Sequence, residues 1–334
     1  MDTRIQSYGA ATHAFVSVVM TAYNADRFIA EAIESVLRQT HCDFEFIVVD
    51  DGSSDRTLEI IRNYACVDRR IRVVAHANWG VARSTNHAID LATSDWVVRM
   101  DADDVMLPNR IERQIAFISD HPGIAVASSL VHMIDGDGNV RWTTSSDLVD
   151  REAFQRYLRA NKVMPIFQPA AIFDKRVIQS VGGYRPQFRY SQDSDLWQRV
   201  AEQGHLILIQ PEPLLKYRVH AGSISSSATR HQNEMHRWAR RCAELRRQGS
   251  SELSLSEFRR FEQQQPLLLR LNRTRRVWSH VLYKQSTVLY INGRRVRAMA
   301  PLCAAMILRP GSSFDRVKSK LAKIVRRKPL HDLV

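Results

Sequence analysis

The chain has 334 residues, 44% of them hydrophobic and 25% charged, which excludes a disordered or fibrous polypeptide and suffices for one large core or two modest ones. Its four cysteines, Cys42, Cys66, Cys242 and Cys303, lack any C-x-x-C spacing; this excludes a zinc or disulfide framework and fits a reducing compartment. The formal net charge of +13 is unevenly placed, −4 over Met1–Ser223 and +17 over Ile224–Val334, so the C-terminal third faces something anionic or is merely solvated.

Residues 1–14 hold no apolar run of signal-peptide length and read as an N-terminal extension. The longest later candidate, Ala298–Leu308, is interrupted by Pro301, so no membrane span is expected. Phe15–Thr21 is a β-branched run, and Phe28, Ile29, Ala32, Ile33, Val36 and Leu37 follow at helical spacing, with Asp26 available as a cap. The alternation recurs. Strand Phe44–Val49 precedes a helix from Asp55 with Leu58, Ile61 and Ala65 inward; strand Ile71–Ala75 precedes a helix from Val81 with Ile89 and Ala92; strand Trp96–Met100 precedes a helix with Ile111, Ile115 and Ile118. Such βα units predict an α/β fold whose sheet is mostly parallel and flanked by helices.

In an open α/β sheet the ligand crevice lies beyond the carboxyl ends of the strands. Three post-strand segments would line it: Ala22, Tyr23 and Asn24; Asp50, Asp51, Gly52, Ser53, Ser54 and Asp55; and Asp101, Ala102, Asp103 and Asp104. Three carboxylates in four positions repel one another unless a cation sits among them, which predicts a metal site; the bland alternative is a polar strand-to-helix turn. The second segment has neither the G-x-G-x-x-G of a dinucleotide fold nor a P-loop, so a nucleotide here depends on carboxylates and a metal.

Asp135–Asn139 resembles the start of a calcium loop, but Val140 stands at its sixth position and Ser146 at its twelfth, so it reads as a hairpin turn after strand 125–134. Ala170–Phe173 is strand-like, Gly182–Gly183 breaks the chain, and Tyr190–Gln203 reads as a helix with Leu196, Trp197 and Val200 inward. From Ala228 the pattern is helical and basic, with Trp238 and Trp278 among arginines. Such helices suit an anionic membrane surface, or pack on the domain with a solvated arginine face. Arg326, Arg327 and Lys328 read as a flexible end.

Taken together, six blocks resemble the family 2 glycosyltransferases: Val18–Asn24; Val48–Thr57; Asn78, Gly80, Ala82, Arg83 and Asn86; Met100–Asp104; Gly183, Tyr184, Gln192, Asp193, Asp195, Leu196 and Trp197; and Tyr217, Arg218 and His220. The resemblance runs from Phe15 to about Ser225. It implies a GT-A fold with a basic helical C-terminal extension after residue 225, a nucleotide-binding half over 15–105 and an acceptor half over 106–225. It also implies inverting transfer of a sugar from a nucleotide-diphospho-sugar of UDP or dTDP type to an acceptor hydroxyl.

Residue by residue, the resemblance implies that Thr21 and Tyr23 border the nucleobase and that Asp51 accepts a hydrogen bond from the base or ribose. Asp101 and Asp103 form the D-x-D pair, with Asp103 the direct ligand of a divalent cation, Mg²⁺ or Mn²⁺. Arg83 assists at the diphosphate or is a surface arginine, and His220 completes the metal or phosphate site or is structural. Inverting transfer needs a base opposite the leaving group, and Asp193 is the candidate. The residue before it is usually Glu in the family; here it is Gln192. Asp195 reads as structural, paired at the helix surface with Arg199. Trp79 either stacks on a sugar or base or belongs to the core.

The expected setting is bacterial surface polysaccharide or glycolipid assembly, in the cytoplasm with peripheral contact at the inner membrane face and a saccharide or lipid-linked saccharide as acceptor. A sugar-phosphate nucleotidyltransferase is the rival enzyme, but Ala22–Ala25 is not the glycine-rich basic loop it needs. A nucleic-acid-binding protein is the rival outside enzymology; it leaves the acidic crevice without a purpose, and no nucleic-acid partner is expected.

Overall fold

The computed structural model describes residues 14–160, 162–220 and 228–309. The N-terminal extension before Ala14, the segment 221–227 and the basic end with Arg326, Arg327 and Lys328 lie outside the described residues. In chain order the first part is β1 (Val16–Ala22), α1 (Ile29–Leu37), β2 (Phe44–Asp50), α2 (Thr57–Val67), β3 (Ile71–Ala75), α3 (Val81–Leu91) and β4 (Trp96–Asp101). There follow β5 (Val105–Met106), α4 (Arg110–Asp120), β6 (Ile124–Ile134), β7 (Val140–Thr143), α5 (Arg151–Arg159), β8 (Ile172–Asp174), α6 (Lys175–Ser180), α7 (Gln192–Glu202) and β9 (Leu206–Arg218). The remainder is helical: α8 (Thr229–Arg247), α9 (Leu255–Gln264), α10 (Leu267–Ile291) and α11 (Arg295–Leu308).

The strands form one sheet in the order β3-β2-β1-β4-β8-β6-β9-β5, with β7 on β6. The parallel expectation holds for β1 to β4, whose crossovers are helices. Beyond β4 the sheet is mixed, since β8 runs antiparallel to both β4 and β6 while β9 is parallel to β6. A short antiparallel strand in the middle lets the two halves share one sheet. The β-branched and aromatic residues of β1, β2 and β4 explain their strand state, and Val18, Val19, Phe46, Ile47, Val97 and Val98 are wholly buried. The helices meet them with Ile29, Ile33, Ile61, Ile89 and Ile111, at the spacing of an apolar helix face.

Two local expectations are corrected. Asp26 does not cap α1; the helix starts at Ile29, and the Ala25 carbonyl accepts from the N–H groups of Phe28 and Ile29. Trp238 is buried and stacks on Phe188 with ring centroids 4.2 Å apart, so it belongs to a core and not to an interfacial face. Residues 135–139 do form the β6–β7 hairpin turn, the Asp135 carboxylate accepting from the N–H groups of Asp137 and Asn139 and from Arg141.

The chain divides into two compact units. One holds the described residues up to Arg218 together with Met235–Glu252; the other holds the described residues of 219–234 and those from Leu253 onward. α8 therefore begins in the second unit and continues in the first.

Candidate active site

The parallel register aligns the carboxyl ends of the strands. Ala22 pairs with Asp50, and Thr21 with Asp101, so the segments that follow β1, β2 and β4 emerge side by side. The first two are laced together: Asn24 Oδ1 accepts from the Ser54 N–H at 2.8 Å, and Thr57 Oγ1 accepts from the Ala25 N–H at 2.7 Å. Gly52, at φ 76°, passes so close to the next loop that a Cβ there would lie 2.7 Å from the Asn78 nitrogen. Only glycine fits.

Asp51 is buried and already engaged. Its Oδ1 accepts from the Trp79 N–H at 2.7 Å and its Oδ2 from the Gly80 N–H at 3.0 Å, so it fixes the loop that leads into α3. Each oxygen keeps a second lone pair for a ligand. Trp79 is not a core residue: it is 47% exposed and stacks flat on His76, with centroids 3.7 Å apart. Tyr23 is 53% exposed and Arg83, on the first turn of α3, is exposed, while the Thr21 hydroxyl is held at 3.0 Å by Arg99.

Asp101, Asp103 and Asp104 each present a carboxylate oxygen such that the three lie within 4.8 Å of one another. Asp104 is buried; its Oδ1 accepts from the Arg218 N–H at 2.8 Å and its Oδ2 has no hydrogen-bond partner. Burial, reinforced by the charges of Asp103 and Asp101, pushes the Asp104 carboxyl well above the usual carboxylate range. Asp101 is raised as well, by burial first, although Arg99 sits 2.7 Å from its Oδ1 and opposes the shift. An unpaired buried oxygen among three hard donors fits a divalent cation.

Beneath the cluster lie buried arginines, of which Arg99 and Arg110 escaped sequence reasoning while Arg218 stood in one of the family blocks without a role. Arg99 projects from the apolar strand β4 onto Asp101, and Arg110 donates to the Arg99 carbonyl at 3.0 Å. Burial lowers the Arg110 guanidinium to about 9, against the pull of Asp104 and Asp101. Arg218 donates from Nε to the Asp103 carbonyl at 2.8 Å and pairs with Glu31. The signal was present: an arginine inside Trp96–Met100 and another at a helix N-terminus, where a cation is disfavoured.

Asp193 lies in the first turn of α7 and is half-buried. Burial raises its carboxyl and the negative charge of Asp101 adds to the effect, while the Ser194 N–H opposes it. Asp193 and the acidic cluster therefore share one electrostatic space, and the buried Tyr184 phenol feels both, together with Arg99. Asp195 is structural, as expected, but not at the surface. It is wholly buried and clamped by Arg185, at 2.8 Å from Nε, and by Arg199, at 3.0 Å from Nε. Arg199 also donates to the Val181 and Gly183 carbonyls, and Arg185 continues to Glu252 at 2.8 Å. The clamp ties the start of α7 to the turn before it and to the 235–252 segment. His220 follows β9 and belongs to the second unit.

The comparisons agree with this geometry. Residues 17–182 match the profile described as Glycosyl transferase family 2. EpsE of Bacillus subtilis (strain 168), provisionally named a glycosyltransferase, is 33% identical over 207 residues, 61% of this chain and 72% of its own. The O-antigen biosynthesis glycosyltransferase WbnJ of Escherichia coli is 28% identical over 222 residues, 64% of this chain and 83% of its own. Among solved structures, the mannosyltransferase PcManGT from Pyrobaculum calidifontis, in complex with GDP-Man and Mn²⁺, superposes with a TM-score of 0.53 at 18% identity, covering 92% of this chain and 80% of its own. The fold is thus of the GT-A type, and the chain belongs to the family 2 glycosyltransferases.

Proposed function

We propose that the enzyme transfers a sugar with inversion from a nucleotide-diphospho-sugar to an acceptor hydroxyl, in the assembly of a bacterial surface polysaccharide or glycolipid. The observation that carries the chemistry is the cluster of Asp101, Asp103 and Asp104 at the carboxyl end of β4, whose carboxylate oxygens lie within 4.8 Å of one another, and Asp193 is the base we assign to it. As the acceptor oxygen attacks the anomeric carbon, its proton passes to the Asp193 carboxylate, and the anomeric C–O bond to the diphosphate breaks. A carboxyl raised by burial is a stronger base than a solvated one.

Asp101 and Asp103 would hold a divalent cation, Mg²⁺ or Mn²⁺, with Asp104 behind them. Bound there, the ion supplies neutralisation of the charge that develops on the leaving nucleoside diphosphate. PcManGT binds GDP-Man with Mn²⁺, which supports this part. Thr21 and Tyr23 border the base, Asp51 accepts from base or ribose with its remaining lone pairs, and Arg83 reaches the diphosphate from the exposed first turn of α3.

In this reading the catalytic domain, expected over 15–225, is carried by the unit that holds the described residues up to Arg218 together with the 235–252 segment. The role of WbnJ in O-antigen biosynthesis supports a polysaccharide pathway. A lipid-linked saccharide acceptor places the enzyme at the inner membrane face, and no described helix is long and apolar enough to cross a membrane. Titration of UDP-, dTDP- and GDP-sugars with and without Mn²⁺, with Asp103→Ala as control, tests the proposal. Metal-dependent binding by the wild type alone is expected; its absence would end the assignment.

A further inference from the structure

About half of the net positive charge of the C-terminal third, +9 of +17, lies on a helical hairpin. α10 and α11 run antiparallel, fixed by Ser279 Oγ on the Ala305 carbonyl at 2.9 Å and by Ser286 Oγ on the Ala298 carbonyl at 2.7 Å. Between Leu267 and Arg309 the sequence has nine Lys or Arg and neither Asp nor Glu.

A solvated helix pair of this charge would present a polar outer side. This one does not. On α11, Val296 (87% exposed), Met299, Ala300, Cys303 and Ile307 (81% exposed) recur at helical spacing, opposite the buried Ala298 and Ala305. At the head of α10, Leu267, Leu268 (80% exposed) and Leu271 also stand open, but Leu268 lies in line with Ser279 and Ser286 on the side that carries α11, so the outer face is that of α11, with Arg295 and Arg297 exposed along its two edges. An apolar stripe left exposed along a folded helix marks a place of contact. A second copy is the poorer occupant, because the face would bring cations against cations with no carboxylate of its own to pair them. An exposed apolar stripe edged by arginines, here Arg295 and Arg297, is the composition of a helix lying in a lipid interface, where anionic headgroups supply the missing counter-charge.

We propose that the outward side of α11 docks on an anionic lipid surface. Val296, Met299, Cys303 and Ile307 enter the headgroup layer, and the flanking Arg295 and Arg297 pair with lipid phosphates. The inference deepens the proposed function by specifying the surface at which a lipid-linked acceptor is met; it rests on that reading for its purpose and uses none of the acidic cluster.

The test uses the full chain and sedimentation with phosphatidylcholine vesicles, with and without phosphatidylglycerol. Affinity for the anionic vesicles is expected to exceed that for the neutral ones by about tenfold or more, and to fall with salt. Val296→Asp/Ile307→Asp should weaken vesicle binding by about tenfold while leaving nucleotide-sugar binding and melting temperature unchanged. If the aspartates unfold the hairpin, the Val296→Gln/Ile307→Gln variant is read in their place. Equal binding to both vesicle types, or wild-type retention of a folded variant, overturns the proposal. So does a dimer in light scattering that the substitutions dissolve without affecting vesicle binding, or tighter binding to duplex DNA than to the anionic vesicles. Vesicle binding without metal-dependent nucleotide-sugar binding would count against the catalytic reading alone.

Discussion

The backbone N–H of Arg218 donates to Asp104 Oδ1 at 2.8 Å across 114 residues of sequence, so the last residue of β9 and the acidic loop after β4 hold each other in place. The same arginine gives its Nε to the Asp103 carbonyl and lays its guanidinium over the Phe28 ring at 4.6 Å. Lysine keeps the charge but lacks the planar fork. Arg218→Lys should cost about 1–3 kcal/mol of stability, by the cost of leaving buried acceptors unpaired, and lower the melting temperature in calorimetry. A melting temperature equal to wild type would show that the fork is dispensable.

Asp104 is a buried ionisable carboxyl whose Oδ2 lacks a partner. Asp104→Asn keeps an acceptor for the Arg218 N–H and removes the ionisable group. Without added divalent cation the variant should melt a few degrees higher than wild type, roughly the shift of a 1 kcal/mol gain. It should also gain less from Mn²⁺. A variant less stable than wild type in metal-free buffer would mean that the buried arginines already balance the cluster.

The raised carboxyls of Asp101, Asp104 and Asp193 fix the sign of a pH effect. Each binds its proton more tightly in the folded chain than in the unfolded one. Their contribution to stability is therefore complete below the ordinary carboxylate range and is lost as pH rises through the folded-state values. The melting-temperature difference between wild type and Asp104→Asn isolates part of this contribution, since other carboxylates such as Asp68 shift the opposite way. The variant's advantage should grow from about pH 5 to about pH 7, and Mn²⁺, which competes with protons, should stabilise wild type more at the higher pH. A pH-independent difference would refute the coupling.

Asp193→Asn should retain metal-dependent donor binding and lose transfer by about 10²–10⁴-fold, the usual contribution of a general base. The acid limb of kcat/KM in the wild type should lie above the ordinary carboxylate value, because burial and Asp101 both raise Asp193. Unchanged turnover would assign the base elsewhere.

Removing the charge of Asp195 leaves Arg185 and Arg199 without their shared buried counter-ion. Asp195→Asn should cost about 3–5 kcal/mol in urea unfolding, as expected for breaking a buried ion pair. Glu252→Gln should cost less, since that carboxylate is partly open to solvent. Equal losses would mean that the two carboxylates act as a single network.

Much of this site was readable from residue order, because strand ends are marked by abrupt changes from β-branched to acidic residues, as from Val49 to Asp50 and from Met100 to Asp101. The α/β alternation through β4 was readable for the same reason, each helix carrying its apolar face at regular spacing. Residues 170–173 were readable as a strand, but the antiparallel place of β8 between β4 and β6 was not, since so short a strand carries no mark of its partners. Side-chain partners were beyond reach in a different way. A sequence shows that Asp51 is a carboxylate, but not that two backbone N–H groups 28 and 29 residues onward already occupy it. Asp195 and Arg199 were readable as a pair, yet their depth depended on Arg185 arriving from another segment.

The tether from Asp51 to the Trp79 and Gly80 amides gives the His76–Trp79 stack a fixed backbone, and the stacked imidazole braces the covered side of the indole. A flat ring arriving on the uncovered side of Trp79 meets a surface whose conformational entropy was lost during folding. Little ordering cost is left for the moment of association, so contact there is rewarded almost in full.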